Sequence, residues 1–181
     1  MASNALKIAF STVALSVGGA LGTPDVFAED ANNLVGTWTL VSSITEKDQT
    51  RTDQFGSGAK GMLTFDADKH FMLIIIGPDL PKFASGNRAG GSSEENKAVV
   101  SKSIAMMGTY SVNSAEKSLT FKVDSATFPN WNGTEQKRLI ATITTDELKY
   151  VTPTASSGGV GRVTWRGPKL AELPAALKRS P

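Results

Sequence analysis

The stretch GTYSVNSAEKSLTFKVDS, residues 108–125, predicts two antiparallel strands joined by a tight turn. Its second half alternates apolar and polar side chains, with Leu119, Phe121 and Val123 on one side of the chain. A period of two is the pattern of a β-strand that buries one face and exposes the other. The short segment SAEK between the two halves fits a hairpin turn. These residues therefore predict a sheet protein with antiparallel neighbours.

Similar short runs, separated by turn residues, predict eight strands between residues 34 and 166, named A to H. They cover residues 34–45, 60–66, 70–77, 108–113, 118–125, 134–144, 147–152 and 161–166. Strand C, HFMLIIIG, is apolar on both faces, so we expect it to be covered on both sides or to lie beside a helix. Eight consecutive strands favour an all-β, antiparallel up-and-down barrel, and a flattened sandwich is the competing interpretation.

One predicted helix interrupts the strands. The segment GGSSEENKAVVSKSIAMM, residues 90–107, lies between strands C and D. Ser92 followed three residues later by Glu95 predicts a capping box at the start of this helix. Apolar residues from Val99 to Met107 recur at helical spacing, so we expect them to pack on the sheet. A weaker helical pattern follows Pro168, and residues 169–181 are expected to form a poorly ordered C-terminal tail.

The connections between strands alternate in length. Connections B–C, D–E and F–G are tight turns, whereas A–B, C–D, E–F and G–H are longer. Successive connections of an up-and-down barrel lie at opposite ends, so we expect a floor of tight turns and a mouth of long loops that also carries the helix. Ligand sites of barrels lie at such mouths. His70 starts strand C at the floor, which favours a turn residue over a general base or a metal ligand.

The N-terminal 28 residues have the features of a secretory signal peptide. Lys7 precedes the apolar stretch IAFSTVALSVGGAL, and Val26 and Ala28 occupy the small-residue positions before a cleavage site after Ala28. A membrane anchor is the weaker alternative, because the stretch is short and contains several glycines. We therefore expect residues 29–168 to form the folded domain, in the periplasm or secreted, without a membrane anchor after cleavage.

Composition excludes several classes of function. The formal net charge is +2 and the basic residues are scattered, which does not indicate nucleic-acid binding. The chain has no cysteine and one histidine, so disulfides, thiolate chemistry and multi-histidine metal sites are excluded. No metal site and no cofactor is predicted. The absence of cysteine in an exported chain fits a bacterial periplasm.

The loop FPNWNGT, residues 128–134, displays two aromatic side chains at the predicted mouth. Its Pro, Asn and Gly residues predict a turn. We expect Phe128 to insert into the barrel and hold the loop, since Pro129 stiffens the chain beside it. Trp131, between two asparagines, is the stronger candidate for contact with a ligand, and Phe128 is kept as a second candidate.

Four more residues are candidates for ligand binding. Gln136 and Arg138 share one face of strand F, and either face of this strand can point inward. If theirs does, Arg138 offers a cation that can take a carboxylate through two hydrogen bonds. Arg88, beside Asn87 in the segment before the helix, is either a solvated loop residue or part of a clamp at the mouth. Tyr110 is expected in the core, with a general acid as the alternative.

Several segments resemble a known family. The first strand carries GTW, Gly36 to Trp38, which is similar to the G-x-W motif of lipocalins and related calycin barrels. The other matching segments are PKFASGNR (81–88), EENKA (94–98), GTYSV (108–112) and FPNW (128–131). Together they resemble the bacterial lipocalin-like domain family, calycin-type β-barrels of mostly undefined function. The resemblance implies that a basic residue of the last strand, here Arg166, packs over Trp38 at the closed end.

Two features differ from a standard lipocalin. This chain has no disulfide, and its helix lies between strands C and D rather than after the last strand. The resemblance therefore implies a fold and a structural floor motif of Gly36, Trp38 and Arg166, and it names no reaction. Three functions stay open. They are a barrel that binds a small hydrophobic or amphipathic molecule, a cofactor-independent enzyme of isomerase, cyclase or decarboxylase type using the same cavity, and a protein-interaction module.

Overall fold

A computed structural model describes residues 34–156 and 158–167 of the chain. The predicted signal peptide, 1–28, and the predicted tail, 169–181, lie outside the described residues. The strands are β1 (Gly36–Lys47), β2 (Thr50–Asp53), β3 (Lys60–Phe65), β4 (His70–Ile76), β5 (Ser103–Asn113), β6 (Ser118–Ala126), β7 (Glu135–Ile143), β8 (Glu147–Thr152) and β9 (Val160–Arg166). Helix α1 spans Ser93–Lys102, and a 3₁₀ turn spans Pro129–Trp131.

The strands close into an antiparallel barrel, as the sequence predicted. Neighbours follow the order β1-β3-β4-β5-β6-β7-β8-β9, and β1 then pairs with β9. The first strand serves both partners because it is long: Gly36–Thr39 pairs with β3, whereas Thr39–Glu46 pairs with β9. This closure excludes the flattened sandwich. The barrel wall therefore has eight strands, and β2 is a short addition that pairs with the end of β1.

Strand β2 was not predicted, because the connection between strands A and B reads as a loop. Asp48 and Gln49 both have positive φ, 47° and 63°, in the tight turn between β1 and β2. Turns of this hand match the twist of the paired strands. The segment TRTD that follows pairs with Ile44–Lys47, and all its residues are exposed. The connection at the mouth thus begins with a hairpin that extends the wall.

The floor of tight turns is confirmed. Residues 66–69, 114–117 and 144–146 connect strands at one end of the barrel, and the long connections lie at the other. Gly36 begins β1 at the floor with a φ of 138°, which glycine adopts far more readily than residues with a side chain. His70 is exposed at the start of β4, directly after the first of these turns, and its Nδ1 lies 3.0 Å from Asp66 Oδ2.

The lower half of the barrel is filled by an aromatic core, which we define as Trp38, Phe65, Phe71, Tyr110, Phe121 and Trp165. All of these residues are buried, and Trp38 has no exposed surface. The Phe121 ring lies 4.4 Å from the Phe71 ring and 6.1 Å from the Phe65 ring, between centroids. The Trp38 indole N–H donates to the carbonyl of Leu34 at 2.8 Å, so its one polar group is satisfied.

Helix α1 is shorter than predicted, and its residues are less buried than expected. The capping box is confirmed: Ser92 Oγ accepts from Glu95 N, and Glu95 accepts from Ser92 N. The helix ends at Lys102, and none of its residues is buried, so the expected packing of an apolar stripe on the sheet is wrong. Ile104 and Met106 also alternate with a period of two. Residues from Ser103 to Thr109 pair with β4, so the hydrogen bonds of the sheet satisfy the backbone groups of Ile104 and Met106.

Strand C was expected to be covered on both sides or to lie beside a helix, and the first of these alternatives is wrong. In β4, Phe71, Leu73 and Ile75 are buried, but Met72 and Ile76 on the outer face are exposed. Met62 on β3 and Met107 on β5 are exposed beside them. Within the described residues, the outer face of these three neighbouring strands is apolar and open to solvent.

Candidate functional site

A cavity of about 470 Å³ occupies the upper half of the barrel, at the mouth. Its apolar wall consists of Phe55, Leu73, Ile75, Ile104, Met106 and Val163. Its polar wall includes Ser43, Gln54, Gln136, Arg138, Tyr150 and Thr152. No member of the aromatic core lines it. The barrel is therefore solid below and hollow above, and the hollow part has one apolar and one polar side.

The face of β7 that points inward is the one with Gln136 and Arg138. Both line the cavity, whereas Leu139 on the other face is exposed. Pairing with β8 shifts by one residue between Ile140 and Thr142. An extra residue of this kind turns the strand locally. Ile140 and Ile143 are consequently both buried, although strict alternation would put them on opposite faces.

Arg138 lies at the base of the cavity. It is 7% exposed, and its guanidinium carbon is 5.6 Å from the centroid of the Phe121 ring. Its Nη2 donates to Gln136 Oε1 at 2.6 Å, and its Nη1 donates to the Lys137 carbonyl at 3.2 Å. Burial lowers the pKa of the guanidinium, and the Tyr150 hydroxyl beside it acts in the opposite direction. Arginine keeps its charge at neutral pH.

Tyr150 extends from β8 toward Arg138 and the aromatic core. Its ring centroid lies 6.4 Å from that of Phe121. Burial raises the pKa of the Tyr150 phenol, although the nearby Arg138 and Trp165 side chains oppose this effect. The phenol is therefore protonated at neutral pH. Among the described residues, the buried Gln136 amide nitrogen has no hydrogen-bond acceptor.

The two aromatic candidates in the loop FPNWNGT have different surroundings. Trp131 is half-buried and lines the cavity, whereas Phe128 is 38% exposed and lies outside the lining. The expectation that Phe128 inserts into the barrel is therefore wrong. Its ring instead meets Trp131 edge to face at 5.5 Å. Asn132 holds the loop by accepting from Ala126 N at 2.8 Å.

Tyr110 and Arg88 are not part of the cavity wall. Tyr110 belongs to the aromatic core, and its hydroxyl donates to the Asp66 carbonyl at 3.2 Å in a floor turn. Arg88 is exposed in the loop before α1. That loop is organised by its own contacts, in which Asn87 Oδ1 accepts from Ala89 N and Glu95 accepts from Ala84 N. No residue from 76 to 103 lines the cavity.

Arg166 does not pack over Trp38, so this part of the expected floor motif is wrong. Arg166 is exposed and alternates along β9 with Trp165, which is fully buried. No cation–π contact joins Arg166 to Trp38, both of which the structure describes. The reason is the phase of β9, in which odd-numbered residues point inward. Trp38 itself is buried at the closed end, as expected.

Three titratable groups gather at the floor turn. Oxygen or nitrogen atoms of Asp66, Asp68 and His70 lie within 4.8 Å of one another, and all three residues are exposed in this cluster. The His70 backbone N–H and side chain both contact Asp66, and the pKa of that carboxyl is lowered chiefly by the backbone contact. The cluster has the geometry of an ordinary hydrogen-bonded turn.

Sequence reasoning missed Tyr150, Ser43 and Gln54 as wall residues. Tyr150 could have been found, because Leu148, Tyr150 and Thr152 alternate on one face of a predicted strand. Ser43 and Gln54 meet through a hydrogen bond of 3.0 Å that joins β1 to the segment after β2. That contact depends on the β1–β2 hairpin, which the sequence pattern did not indicate.

Comparison with known proteins agrees with the geometry. The sequence profile of the lipocalin-like domain family matches residues 35–166. The chain belongs to this family. The match covers every strand of the barrel, and the architecture is that of a ligand-binding barrel in general. A search of curated proteins finds no match. Within the described ranges, no helix is long and apolar enough to cross a membrane.

Proposed function

We propose that this lipocalin-like barrel is exported through its signal peptide and binds a small hydrophobic or amphipathic molecule in the cavity. The observation that carries the proposal is the hollow upper half above a filled aromatic core. A cavity of about 470 Å³ is within the range of small-molecule sites, and such sites are mostly apolar with a few polar groups. Trp131 at the mouth supplies an aromatic surface that would cover a bound molecule.

Binding is favoured over catalysis by the chemistry of the cavity wall. General acid–base catalysis needs groups whose pKa lies near the working pH. The two buried titratable groups of the wall are Arg138 and Tyr150, and burial raises the pKa of Tyr150 further from neutrality. Glu135 and Lys137 reach the cavity from the exposed rim. In the part of the chain that the structure describes, the buried part of this wall therefore contains no acid–base pair.

Native mass spectrometry of the protein purified from its own periplasm tests the proposal directly. We expect a bound small molecule, or binding of the neutral dye Nile red with enhanced fluorescence. Fatty acids or aromatic acids should displace the dye. A protein that carries nothing, binds no dye and docks a protein partner would favour the interaction module instead.

A pair of matched variants locates the dye. Ile104→Trp places an indole in the cavity wall, and Val100→Trp places the same group on helix α1, where Val100 is 72% exposed. We expect the first substitution to reduce dye binding and the second to leave it unchanged. Equal effects would show that the dye binds elsewhere, for instance on the outer face of β3, β4 and β5 around Met62, Met72 and Met107, and would remove the support for a cavity ligand.

A further inference from the structure

Arg138 is a buried cation without an anion. None of the ion pairs among the described residues includes it. Its neighbours are an amide oxygen of Gln136, the carbonyl of Lys137, the protonated Tyr150 hydroxyl and the face of Phe121, and all of them are neutral. A charge taken out of water is costly unless a counter-charge compensates it. The barrel therefore keeps, at the base of a cavity, a charge that none of its described residues neutralises.

The groups around Arg138 are rich in donors and poor in acceptors. The Gln136 amide oxygen is used by Arg138, while the amide nitrogen is buried and has no acceptor. The Tyr150 hydroxyl, which the Arg138 and Trp165 side chains approach as donors, carries its own proton at neutral pH. Buried donors left unpaired cost free energy, and native proteins contain few of them. An acceptor that carries negative charge would satisfy this set.

We propose that the molecule bound in the cavity is a monocarboxylic acid with an apolar tail, whose carboxylate contacts Arg138 and Gln136. This inference rests on the proposed function, because it specifies the ligand of the same cavity. A guanidinium matches a planar carboxylate through two parallel hydrogen bonds. The wall supplies one buried cation, which balances one negative charge and not the larger charge of a phosphate.

The apolar wall accounts for the tail. Leu73, Ile75 and Met106 from β4 and β5 line the cavity opposite the polar strands β7 and β8. Arg138 lies against Phe121 of the aromatic core, so the carboxylate is deepest in the cavity. The tail then extends along the apolar wall toward Trp131 at the mouth. The acid group enters first, and the hydrocarbon closes the site behind it.

Displacement of Nile red by two matched compounds, decanoic acid and 1-decanol, tests the inference on wild-type protein stripped of lipid. We expect decanoate to bind at least about tenfold more tightly than the alcohol, since only the acid pairs with Arg138. Equal affinities would overturn the carboxylate inference and leave the proposed function intact. If neither compound nor the dye binds, the proposed function fails, and the inference fails with it.

Substitutions distinguish a role of Arg138 in binding an anion from a purely structural role. Arg138→Met should abolish the preference for decanoate, retain 1-decanol binding and leave the unfolding midpoint of the empty protein unchanged or higher. Arg166→Met removes an exposed guanidinium and should change neither affinity. Gln136→Leu should weaken decanoate alone, and it keeps the test usable if Arg138→Met does not fold. An Arg138→Met protein that still prefers the acid would refute the proposal.

Discussion

The two halves of this barrel are built from the same strands and differ in what fills them. Below, six aromatic residues pack against one another, tight turns connect the strands, and Trp38 has no exposed surface. Above, the strands enclose a cavity, the connections are long, and helix α1 buries none of its residues. Packing free energy is therefore concentrated at the floor. Because the floor stabilises the fold, the cavity wall at the mouth can include a buried charge and polar groups that lack partners.

The largest effect is expected from removing a ring at the floor. Trp38→Ala deletes a fully buried indole and its hydrogen bond to Leu34. We expect the free energy of unfolding to fall by about 3 kcal/mol or more, measured by denaturant titration. Trp131→Ala is the matched control at the mouth, where a half-buried ring with one aromatic contact should contribute about 1 kcal/mol. Equal losses would contradict the division into a solid and a hollow half.

A smaller loss is expected from adding one methyl group to the lower wall. A Cβ on Gly108 would collide with the backbone oxygen of Lys122 on β6, at the irregularity in the β5–β6 pairing. Backbone atoms of a closed barrel cannot move away easily, so Gly108→Ala should cost about 2 kcal/mol of unfolding free energy. Ser111→Ala, an exposed position on the same strand, is the control. A Gly108→Ala protein of wild-type stability would show that the wall adjusts.

Trp131→Ala should affect binding more than folding. Its ring lines the cavity at the mouth, whereas Phe128 beside it does not. We expect the affinity for Nile red to fall by about tenfold in Trp131→Ala. Phe128→Ala should change it little, and fluorescence titration measures both. If Phe128→Ala has the larger effect, the loop presents the other ring to the ligand.

The start of helix α1 should be weakened without unfolding the barrel. Ser92→Ala removes the N-cap, which is expected to cost the helix about 1 kcal/mol. Because α1 has no buried residue, its amides should exchange faster while those of β4 and β6 keep their protection. Hydrogen exchange read by NMR resolves the two groups. Faster exchange throughout the barrel would mean that the mouth and the floor unfold together.

The smallest effect concerns pH. Backbone N–H groups of Ala84 and Ser92 lower the pKa of Glu95 below its usual value of 4.5. A carboxyl with a lowered folded pKa contributes stability above its ordinary pKa, and that contribution is lost as pH falls through the lowered value. The amide shifts of α1 should therefore stay constant above pH 4.5 and change below it. In Glu95→Ala this acid transition should disappear.

Predictions that depend on neighbouring residues in the chain were confirmed. The alternation of apolar and polar residues predicted the eight strands of the wall. Ser92 and Glu95 predicted the capping box, and the loop lengths predicted the two ends of the barrel. Each of these follows from spacing along the backbone, which a sequence records directly. The predicted end of α1 was wrong because Ile104 and Met106 fit both helical and strand spacing, and pairing with β4 makes them strand.

The chain alone thus determined that this protein is an eight-stranded antiparallel barrel with a mouth and a floor, because strand period and turn chemistry are local. Only the tertiary structure decided which face of β7 points inward, since closure sets the register and a slip of one residue would exchange the two faces. Closure also placed Arg166 outside and Tyr150 beside Arg138. The candidate binding site is consequently a product of register, not of any single motif.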